Sequence, residues 1–243
     1  GTLLWRGASE DRVWPGIAIG DLDHDGRVAI VVGRSGPGVT VYDLDGSVRS
    51  GWPVTPFAGG EVRSLALADL DRDGRLHVVV GDAAGVSSNY VDVLAPNGAT
   101  RPGWPARRSS DPGYGAGMYN ENLAIADLDG DGYPEIYAPT DTHYVNAFDR
   151  NGNEIRANAI YGTSSDGLGP KVWAEVGVNV DQAADLRGYT NCDTERRPNF
   201  AGSAPAIADV DGDRTPELVL PGNVYDCSTD PYTDLYYDVW LLK

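Results

Sequence analysis

The chain has 243 residues, with 36 Asp and Glu against 19 Lys and Arg, and a formal net charge of −17 at pH 7. This excess of acid argues against a basic surface for nucleic acid, and no stretch approaches the roughly 18 consecutive apolar residues of a membrane-spanning helix. Fourteen of the acidic residues belong to four short loops, so the other 22 nearly balance the basic residues. The acidity is therefore concentrated in local clusters.

In chain order, the first predicted unit runs from the strand GIAIGDL through the loop DLDHDG (21–26) to the strands VAIVVG and VTVYDLDG. Short runs of β-branched and apolar residues between Gly and Asp turns are typical of strands. The unit occurs four times, and the spacings between the first loop aspartates are 48, 58 and 82 residues. In the first two units a fourth strand, SVRSGWPV or ATRPGWPA, follows a DG or NG turn of the kind that forms tight hairpins.

The repeat predicts an all-β fold, a β-propeller with four visible blades of four antiparallel strands each. The predicted blades cover about 13–57, 61–106, 119–158 and 203–243 of a single domain, 1–243, with 159–202 as an insertion. The opening residues GTLLWRG (1–7) have the character of the fourth strand that should follow the last strand of the chain, and they are predicted to act as a closing strand. Either the two ends pair and close a four-bladed ring, or the chain is part of a larger ring. We prefer the larger ring, since four blades require steep twisting.

Each loop places three aspartates at alternate positions, where the carboxylates repel one another unless a cation lies between them. A ligand set made only of oxygen favours Ca²⁺. In such a loop the side chains at positions 1, 3 and 5 and the backbone carbonyl at position 7 bind the ion, but the position-12 Glu and flanking helices of an EF-hand are absent here. We therefore expect up to four calcium sites. Their ligands are Asp21, Asp23, Asp25 and the Arg27 carbonyl; Asp69, Asp71, Asp73 and the Arg75 carbonyl; Asp127, Asp129, Asp131 and the Tyr133 carbonyl; and Asp209, Asp211, Asp213 and the Thr215 carbonyl.

The four loops differ at position 9. Glu135 and Glu217 add a fourth carboxylate to the third and fourth loops, whereas Ala29 cannot bind a metal and His77 is a poor Ca²⁺ ligand. We therefore expect the third and fourth sites to bind Ca²⁺ more tightly. The fourth loop also has Arg214 at position 6, where the other loops have the glycine that permits a sharp turn.

The stretch LAIADLDGDGYPEIYAP (123–139) resembles the FG-GAP or VCBS-type repeat of integrin α-subunit propellers and of many secreted bacterial proteins. Similar units occur in some propeller lectins and polysaccharide lyases. The resemblance extends over nearly the whole chain and implies a calcium-binding propeller. Propellers of this kind usually have about seven or eight blades, so it also implies further blades or subunits that complete the ring.

Two cysteines, Cys192 and Cys227, permit one disulfide bond, with two free thiols as the alternative. Calcium sites of moderate affinity stay loaded only where calcium is plentiful, and disulfides persist in oxidising compartments. The chain begins at Gly1 without a start methionine or signal peptide, which suggests a mature form or an excised segment. We therefore expect a secreted, periplasmic or cell-surface location.

A ligand surface is predicted on the propeller face opposite the metal loops. The long segments 107–122, 159–203 and 221–234 all connect strands on that face, and long loops on a rigid scaffold commonly carry binding function. Alternatively, their tyrosines pack the insertion onto the rim of the propeller. The candidate ligand-binding residues are Tyr189, Asn191, Arg196, Arg197, Asn199, Tyr225, Tyr232 and Tyr236.

The leading functional hypothesis is a binding or adhesion module for a glycan or an extracellular protein. A Ca²⁺-dependent polysaccharide lyase or related carbohydrate-active enzyme is one alternative, and a purely structural repeat of a surface assembly is another. No catalytic residue is assigned, because none of the three histidines belongs to a nucleophile motif. An enzyme is therefore the less favoured hypothesis.

Overall fold

A computed structural model describes residues 1–7, 11–36, 38–57, 60–83, 90–105, 117–118, 123–140, 144–155, 173–175, 196–199, 204–226 and 234–243. The described strands form four antiparallel sheets in chain order, which we call sheets 1 to 4. This confirms the predicted all-β fold of propeller blades. Within the same residues, no helix has the length and apolar character needed to cross a membrane.

Sheets 1 and 2 have three strands each, in sequence order, and sheets 3 and 4 have four. Sheet 1 contains β1 (Ile17–Gly20), β2 (Ala29–Gly33) and β3 (Val39–Asp43), and sheet 2 contains β4 (Val62–Ala68), β5 (His77–Asp82) and β6 (Val91–Leu94). Sheet 3 contains β7 (Ala124–Ala126), β8 (Glu135–Pro139), β9 (Tyr144–Phe148) and β10 (Ala174–Glu175), and sheet 4 contains β11 (Arg196–Asn199), β12 (Ala206–Ala208), β13 (Glu217–Asp226) and β14 (Asp234–Leu242). Each Asp-rich loop joins two paired strands of its sheet, β1 to β2, β4 to β5, β7 to β8 and β12 to β13, as predicted.

The four sheets lie in a row, in chain order, and burial differs between the two inner sheets and the two end sheets. Strands β5 and β8, in the two inner sheets, are buried at every residue, because these sheets have a neighbour on each face. Strand β2 of sheet 1 is fully buried only at alternate residues, and β1 and β12 of the end sheets alternate between partly buried and exposed residues. In β3 of sheet 1, by contrast, four consecutive residues are buried. Side chains of a strand alternate between the two faces of its sheet, so the outer face of sheet 1 is open along β1, partly open along β2 and covered along β3.

The fourth strands predicted for the first two blades are reduced to isolated bridges, such as those of Tyr42 with Val48 and of Leu94 with Thr100. The sequence of this segment explains the interruption. Pro53 lacks the N–H that a ladder requires, and Gly51 has φ of 90°, with its Cα so close to Asn97 that a Cβ would come within 2.2 Å of the Asn97 carbonyl oxygen.

Parts of the predicted insertion and of the predicted loop at 221–234 form strands in the described residues. Residues Trp173 to Glu175 belong to sheet 3, where β10 pairs with β9 and the Trp173 ring packs edge-on against Tyr137. Strand β11 pairs with the far half of β13, and β13 pairs with β14 from Leu218 as far as Tyr225. Two short parts of the insertion therefore belong to the blades, and residues 221–226, expected in a loop, continue strand β13. The prediction failed there because insertion and loop contain many Gly, Pro and Asp residues and show no clear strand alternation.

Three apolar clusters join the sheets in order. They connect sheet 1 to sheet 2, sheet 2 to sheet 3 and sheet 3 to sheet 4. Trp52 and Trp104 follow the third strands of sheets 1 and 2, and each is only 7% exposed. Each indole N–H donates to a backbone carbonyl of the next sheet, from Trp52 to Pro96 at 3.1 Å and from Trp104 to Arg150 at 3.3 Å. The two tryptophans therefore fix neighbouring sheets to one another.

Residues 1–7 form no strand, so the predicted pairing of a closing strand is not formed in this part of the chain. Instead, Trp5 lies on sheet 1. Its ring is 5.5 Å from the Tyr42 ring, and its Nε1 donates to the Leu44 carbonyl at 3.0 Å. The segment is thus held by one aromatic anchor, while Leu3 and Leu4 remain about four-fifths exposed, at 79% and 87%.

A buried carboxyl group, that of Asp92, makes the free energy of unfolding depend on pH. Asp92 of β6 is 1% exposed, and burial raises its pKa to about 6, although the Val93 N–H and the Thr100 hydroxyl donate to it. The folded protein therefore holds this proton more tightly than the unfolded chain. As pH rises from about 4 through 6, this group lowers the free energy of unfolding by about 3 kcal/mol.

Asp92→Asn should therefore raise the free energy of unfolding at pH 7 by about 1–3 kcal/mol. The gain should shrink to nothing near pH 4, where Asp92 is protonated in the folded protein. Urea denaturation of both proteins across this pH range measures the difference. Asn146 occupies the same place in sheet 3 at 0% exposure, so the amide fits such a site. Equal stabilities at pH 7 would contradict the assignment.

Candidate metal centre

All four loops use the first aspartate as a hydrogen-bond acceptor for the loop backbone. In the first loop, Asp21 accepts the N–H groups of Asp25 and Gly26 at 3.1 and 2.6 Å. In the third loop, Asp127 accepts those of Gly130 and Gly132 at 2.8 and 3.0 Å. The second and fourth loops repeat these two patterns respectively. The sequence therefore folds each loop around its first carboxylate.

Two positions in each loop have left-handed backbone conformations. Position 6 has φ of 84° at Gly26 and 77° at Arg214, and position 4 has φ of 56° at both His24 and Arg72. The third and fourth loops have glycine at position 4. Residues other than glycine disfavour the left-handed region because of their Cβ atom. Arg214 therefore adopts a strained backbone conformation that keeps the same loop shape. The expected turn at position 6 is therefore formed in all four loops.

The third loop brings four carboxylates together. Asp127, Asp129, Asp131 and Glu135 each have an oxygen within 4.8 Å of the others. Glu135 is 3% exposed, and its Oε2 accepts the N–H of Leu128 at 3.0 Å. Burial and the neighbouring aspartates raise the pKa of Glu135. A buried glutamate is therefore aimed into a cluster of partly exposed aspartates.

The fourth loop repeats this arrangement with one addition. Asp209, Asp211 and Glu217 have oxygens within 4.8 Å of one another, and Glu217 is 1% exposed. The Lys243 ammonium lies 2.9 Å from Asp211, 2.6 Å from Asp213 and 3.0 Å from Glu217. These hydrogen bonds, first to Asp213, raise the pKa of Lys243. A cationic group thus sits among the carboxylates of this loop.

In the second loop the cation is a guanidinium. Arg101 donates to both oxygens of Asp71 at 2.6 and 2.7 Å, and its Nη1 lies 2.7 Å from Nε2 of His77. Arg101 lowers the pKa of Asp71, mainly through these hydrogen bonds. Burial and then the charge of Arg101 lower the pKa of His77, so a neutral imidazole can accept from the guanidinium.

The first loop has the equivalent arginine. Arg49 is at the same place after β3 as Arg101 after β6, since their N–H groups donate to Val41 and Val93. Its guanidinium lies 2.7 Å from Asp43 and 3.2 Å from Asp23. Within the described residues, neither the first nor the second loop forms a metal-sized group of His, Cys, Asp and Glu ligands.

One covariation distinguishes the two kinds of loop. In the units with Ala29 or His77 at position 9, the residue at a matched place after the third strand is an arginine, Arg49 or Arg101. In the unit with Glu135 at position 9, the residue at this place is Ile155. Sequence reasoning identified position 9 but missed Arg49 and Arg101, because their reach to the loop depends on a fourth segment that was read only as a strand. Aligning the units on their third strands would have found the pattern. The carbonyls of Arg27, Arg75, Tyr133 and Thr215 as ligands remain a prediction.

The predicted ligand face is described only in part. Strand pairing sets Arg196, Arg197 and Asn199 of β11 opposite Asp226, Tyr225 and Asn223 of β13, so four of the candidate residues, Arg196, Arg197, Asn199 and Tyr225, share one ladder. Tyr236 lies in β14, opposite Val224 of β13. The candidate residues that fall outside the described part of the chain are Tyr189, Asn191, Tyr232 and both members of the predicted disulfide, Cys192 and Cys227.

Comparison with known families gives one match: residues 21–80 match the FG-GAP-like repeat family. The matched range begins at the first loop aspartate and ends within β5, so it covers the first loop, sheet 1 from β2 onward and most of sheet 2. No curated protein matches the chain at a significant level.

Among solved structures, the computationally designed Ika4 protein is similar over 100% of this chain and 99% of its own, at 14% identity and a TM-score of 0.51. The V. cholerae biofilm matrix protein Bap1 is similar over 91% of this chain and 38% of its own, at 18% identity and a TM-score of 0.40. BamB from Moraxella catarrhalis is similar over 97% of this chain and 64% of its own, at 14% identity and a TM-score of 0.44. The chain thus spans 38% of Bap1 and 64% of BamB, and likeness at these identities concerns the fold alone.

Proposed function

Because the chain carries an FG-GAP-like repeat on β-propeller sheets, we propose that it is a calcium-stabilised binding module of a secreted, periplasmic or cell-surface protein. The calcium supports the scaffold, and the opposite face binds a glycan or an extracellular protein. The two parts of the proposal rest on different observations and have separate tests.

The carboxylate cluster of the third loop carries the calcium proposal. Calcium binds oxygens at 2.3–2.6 Å, so ligands on opposite sides of one ion lie about 5 Å apart. The spacing of at most 4.8 Å between the four carboxylates fits this distance. The burial of Glu135 adds a second argument, since a carboxyl group buried among other acids stays ionised only beside a cation. Asp127, Asp129, Asp131 and Glu135 would hold the ion.

We propose two principal calcium sites, in the third and fourth loops. In the first and second loops, Arg49 and Arg101 supply the positive charge that the aspartates require, so calcium binding there is weak. The fourth site has three clustered carboxylates, and Lys243 competes with the ion for Asp211 and Glu217. The third site should therefore bind more tightly than the fourth.

Calcium titration tests this assignment. Isothermal titration calorimetry of the chelator-treated protein should give two bound Ca²⁺ per chain, and Glu135→Gln and Glu217→Gln should each remove one. An occupied site at 100 times its Kd stabilises the folded state by about 2.7 kcal/mol, so each variant should also lose part of the calcium-dependent rise in Tm. Glu154→Gln, which removes the same charge outside the loops, is the matched control. Unchanged stoichiometry in both loop variants would refute the proposal.

A gain of binding tests the role of the arginines. The double variant His77→Glu/Arg101→Ile gives the second loop the residues that the third loop has at the same places, Glu135 and Ile155. It should bind one Ca²⁺ more than the parent protein, whereas Arg101→Ile alone should gain little, because His77 is a poor calcium ligand. Equilibrium dialysis with elemental analysis counts the ions. If the double variant binds no additional calcium, the arginines do not explain the difference between the loops.

The binding face is supported by the concentration of long segments beside sheet 4 and by the ladder that joins Arg196 and Arg197 to β13. The sheets themselves depend on Trp173, β10 and β11, so a test must retain them. Replacing 176–195 with a short turn leaves all three in place.

The trimmed protein should fold and bind calcium like the intact one, but it should lose retention on a glycan array or on an immobilised panel of extracellular matrix proteins. Circular dichroism and calcium stoichiometry control for folding. Equal retention of intact and trimmed proteins would move the binding site away from the insertion.

A further inference from the structure

Two faces of the sheet row carry exposed apolar side chains, one at each end. On sheet 1, Ile17 and Ile19 are 60% and 65% exposed, and on sheet 4, Val239 and Leu241 are 68% and 56% exposed. Apolar side chains clustered on one sheet face commonly mark an interaction surface. Because both faces are open at once, sheet 4 of a chain does not cover sheet 1 of the same chain.

The internal interfaces show which positions meet when two sheets pack. Each sheet presents one set of positions to the preceding sheet, which we call its preceding-side set. It presents the alternate positions, its following-side set, to the following sheet. Sheet 2 presents Leu65, Leu67, Val78, Val80 and Leu94 to sheet 1, and sheet 3 presents Leu123, Ile125, Ile136, Ala138 and Phe148 to sheet 2. The following-side set of sheet 1, which contacts sheet 2, consists of Ala29, Val31, Val39 and Val41. The following-side set of sheet 3, which contacts sheet 4, consists of Ala124, Tyr137, Val145 and Ala147.

The outer faces of sheets 1 and 4 consist of the same two sets of positions. By strand register, the equivalents on sheet 1 of the preceding-side set are Ile17, Ile19, Ile30, Val32 and Tyr42, of which Tyr42 is already covered by Trp5. The equivalents on sheet 4 of the following-side set are Ala206, Ala208, Val219, Val239 and Leu241. Both sets are mainly apolar, as at the internal interfaces. The chain thus carries both halves of an interface that it forms three times within itself.

Trp5 supplies an independent observation. Its indole donates to the Leu44 carbonyl, which is the register equivalent of the Pro96 and Arg150 carbonyls that accept from Trp52 and Trp104. Its ring lies 5.5 Å from Tyr42, as the Trp104 ring lies 5.6 Å from Phe148. Trp52 and Trp104 both belong to the sheet before the one they contact. Trp5 therefore occupies the place of a tryptophan from a sheet that precedes sheet 1.

The sheet that fits this place is sheet 4 of another copy. Among the described strands, none pairs with the outer edge of β14, so a segment such as 1–7 has room beside it. We propose that two copies of this chain associate head to tail. Sheet 4 of each copy packs on sheet 1 of the other, with residues 1–7 along the β14 edge of the other copy. Two such contacts form a closed ring of eight sheets with two-fold symmetry, within the usual size range of propellers.

The mass of the 243-residue chain in solution tests the proposal. With calcium present, sedimentation equilibrium should give twice the chain mass of 25.9 kDa. Ile19→Asp and Leu241→Asp should each give one copy, because each places a charge in both contacts of the ring. Both sites are exposed in the single chain, so circular dichroism should be unchanged. Thr55→Asp, at an exposed site outside both faces, should stay dimeric.

Mixing the two variants tests the head-to-tail direction. Ile19→Asp retains an intact sheet 4 face and Leu241→Asp an intact sheet 1 face, so the mixture should recover a heterodimer through one contact, whereas neither variant should pair with itself. Trp5→Ala should weaken the parent dimer at least tenfold. A monomeric parent chain, an assembly of more than two copies, or dimers that persist in either Asp variant would overturn the proposal.

Discussion

The structure depends on the packing of sheets face to face. A strand such as β5, which is buried at every residue, can exist only between two neighbours, because its alternating side chains point to opposite faces. This requirement sets the apolar pattern of each unit and places the loops between first and second strands side by side, as the contacts of His24 with the second loop and of Arg72 with Asp127 show. The acidic loops and the long segments are both carried by this stack.

The charge of the loop carboxylates is the second constraint, and the four loops differ in how they balance it. In the first and second loops an arginine reaches in from the segment after the third strand. In the third and fourth loops a glutamate is buried below the aspartates and increases the local negative charge, which Lys243 partly offsets in the fourth loop. Arg49 and Arg101 have side chains that are only 11% and 12% exposed, so both guanidinium groups are largely shielded from solvent beside the carboxylates that they contact. The identity of one residue at position 9 thus correlates with that of another residue about 20 positions further along the chain.

The first three strands of each unit and their loops were predictable, because alternation and turn residues are local signals. The fourth segments were only partly predictable, since Pro53 and Gly51 reduce them to bridges while Trp52 still anchors them. The arginines, the sheet role of Trp173 and the length of the β13–β14 hairpin were not foreseen, because each depends on contacts distant in sequence. Burial of the two loop glutamates likewise follows from the neighbouring sheets and is not visible in the loop sequence alone.

The division between arginine and glutamate loops makes the chain chemically asymmetric along its length. Arg49 and Arg101 give the first two loops counterions in covalently attached side chains. If the third and fourth loops hold calcium as proposed, they take part of their counterions from the surrounding solution, and a fall in free calcium would act on one half of the polypeptide. Local unfolding and proteolytic cleavage would then begin beside sheets 3 and 4, and the first half would persist as a resistant fragment. The composition of the medium would thereby determine which part of the chain has the shorter lifetime.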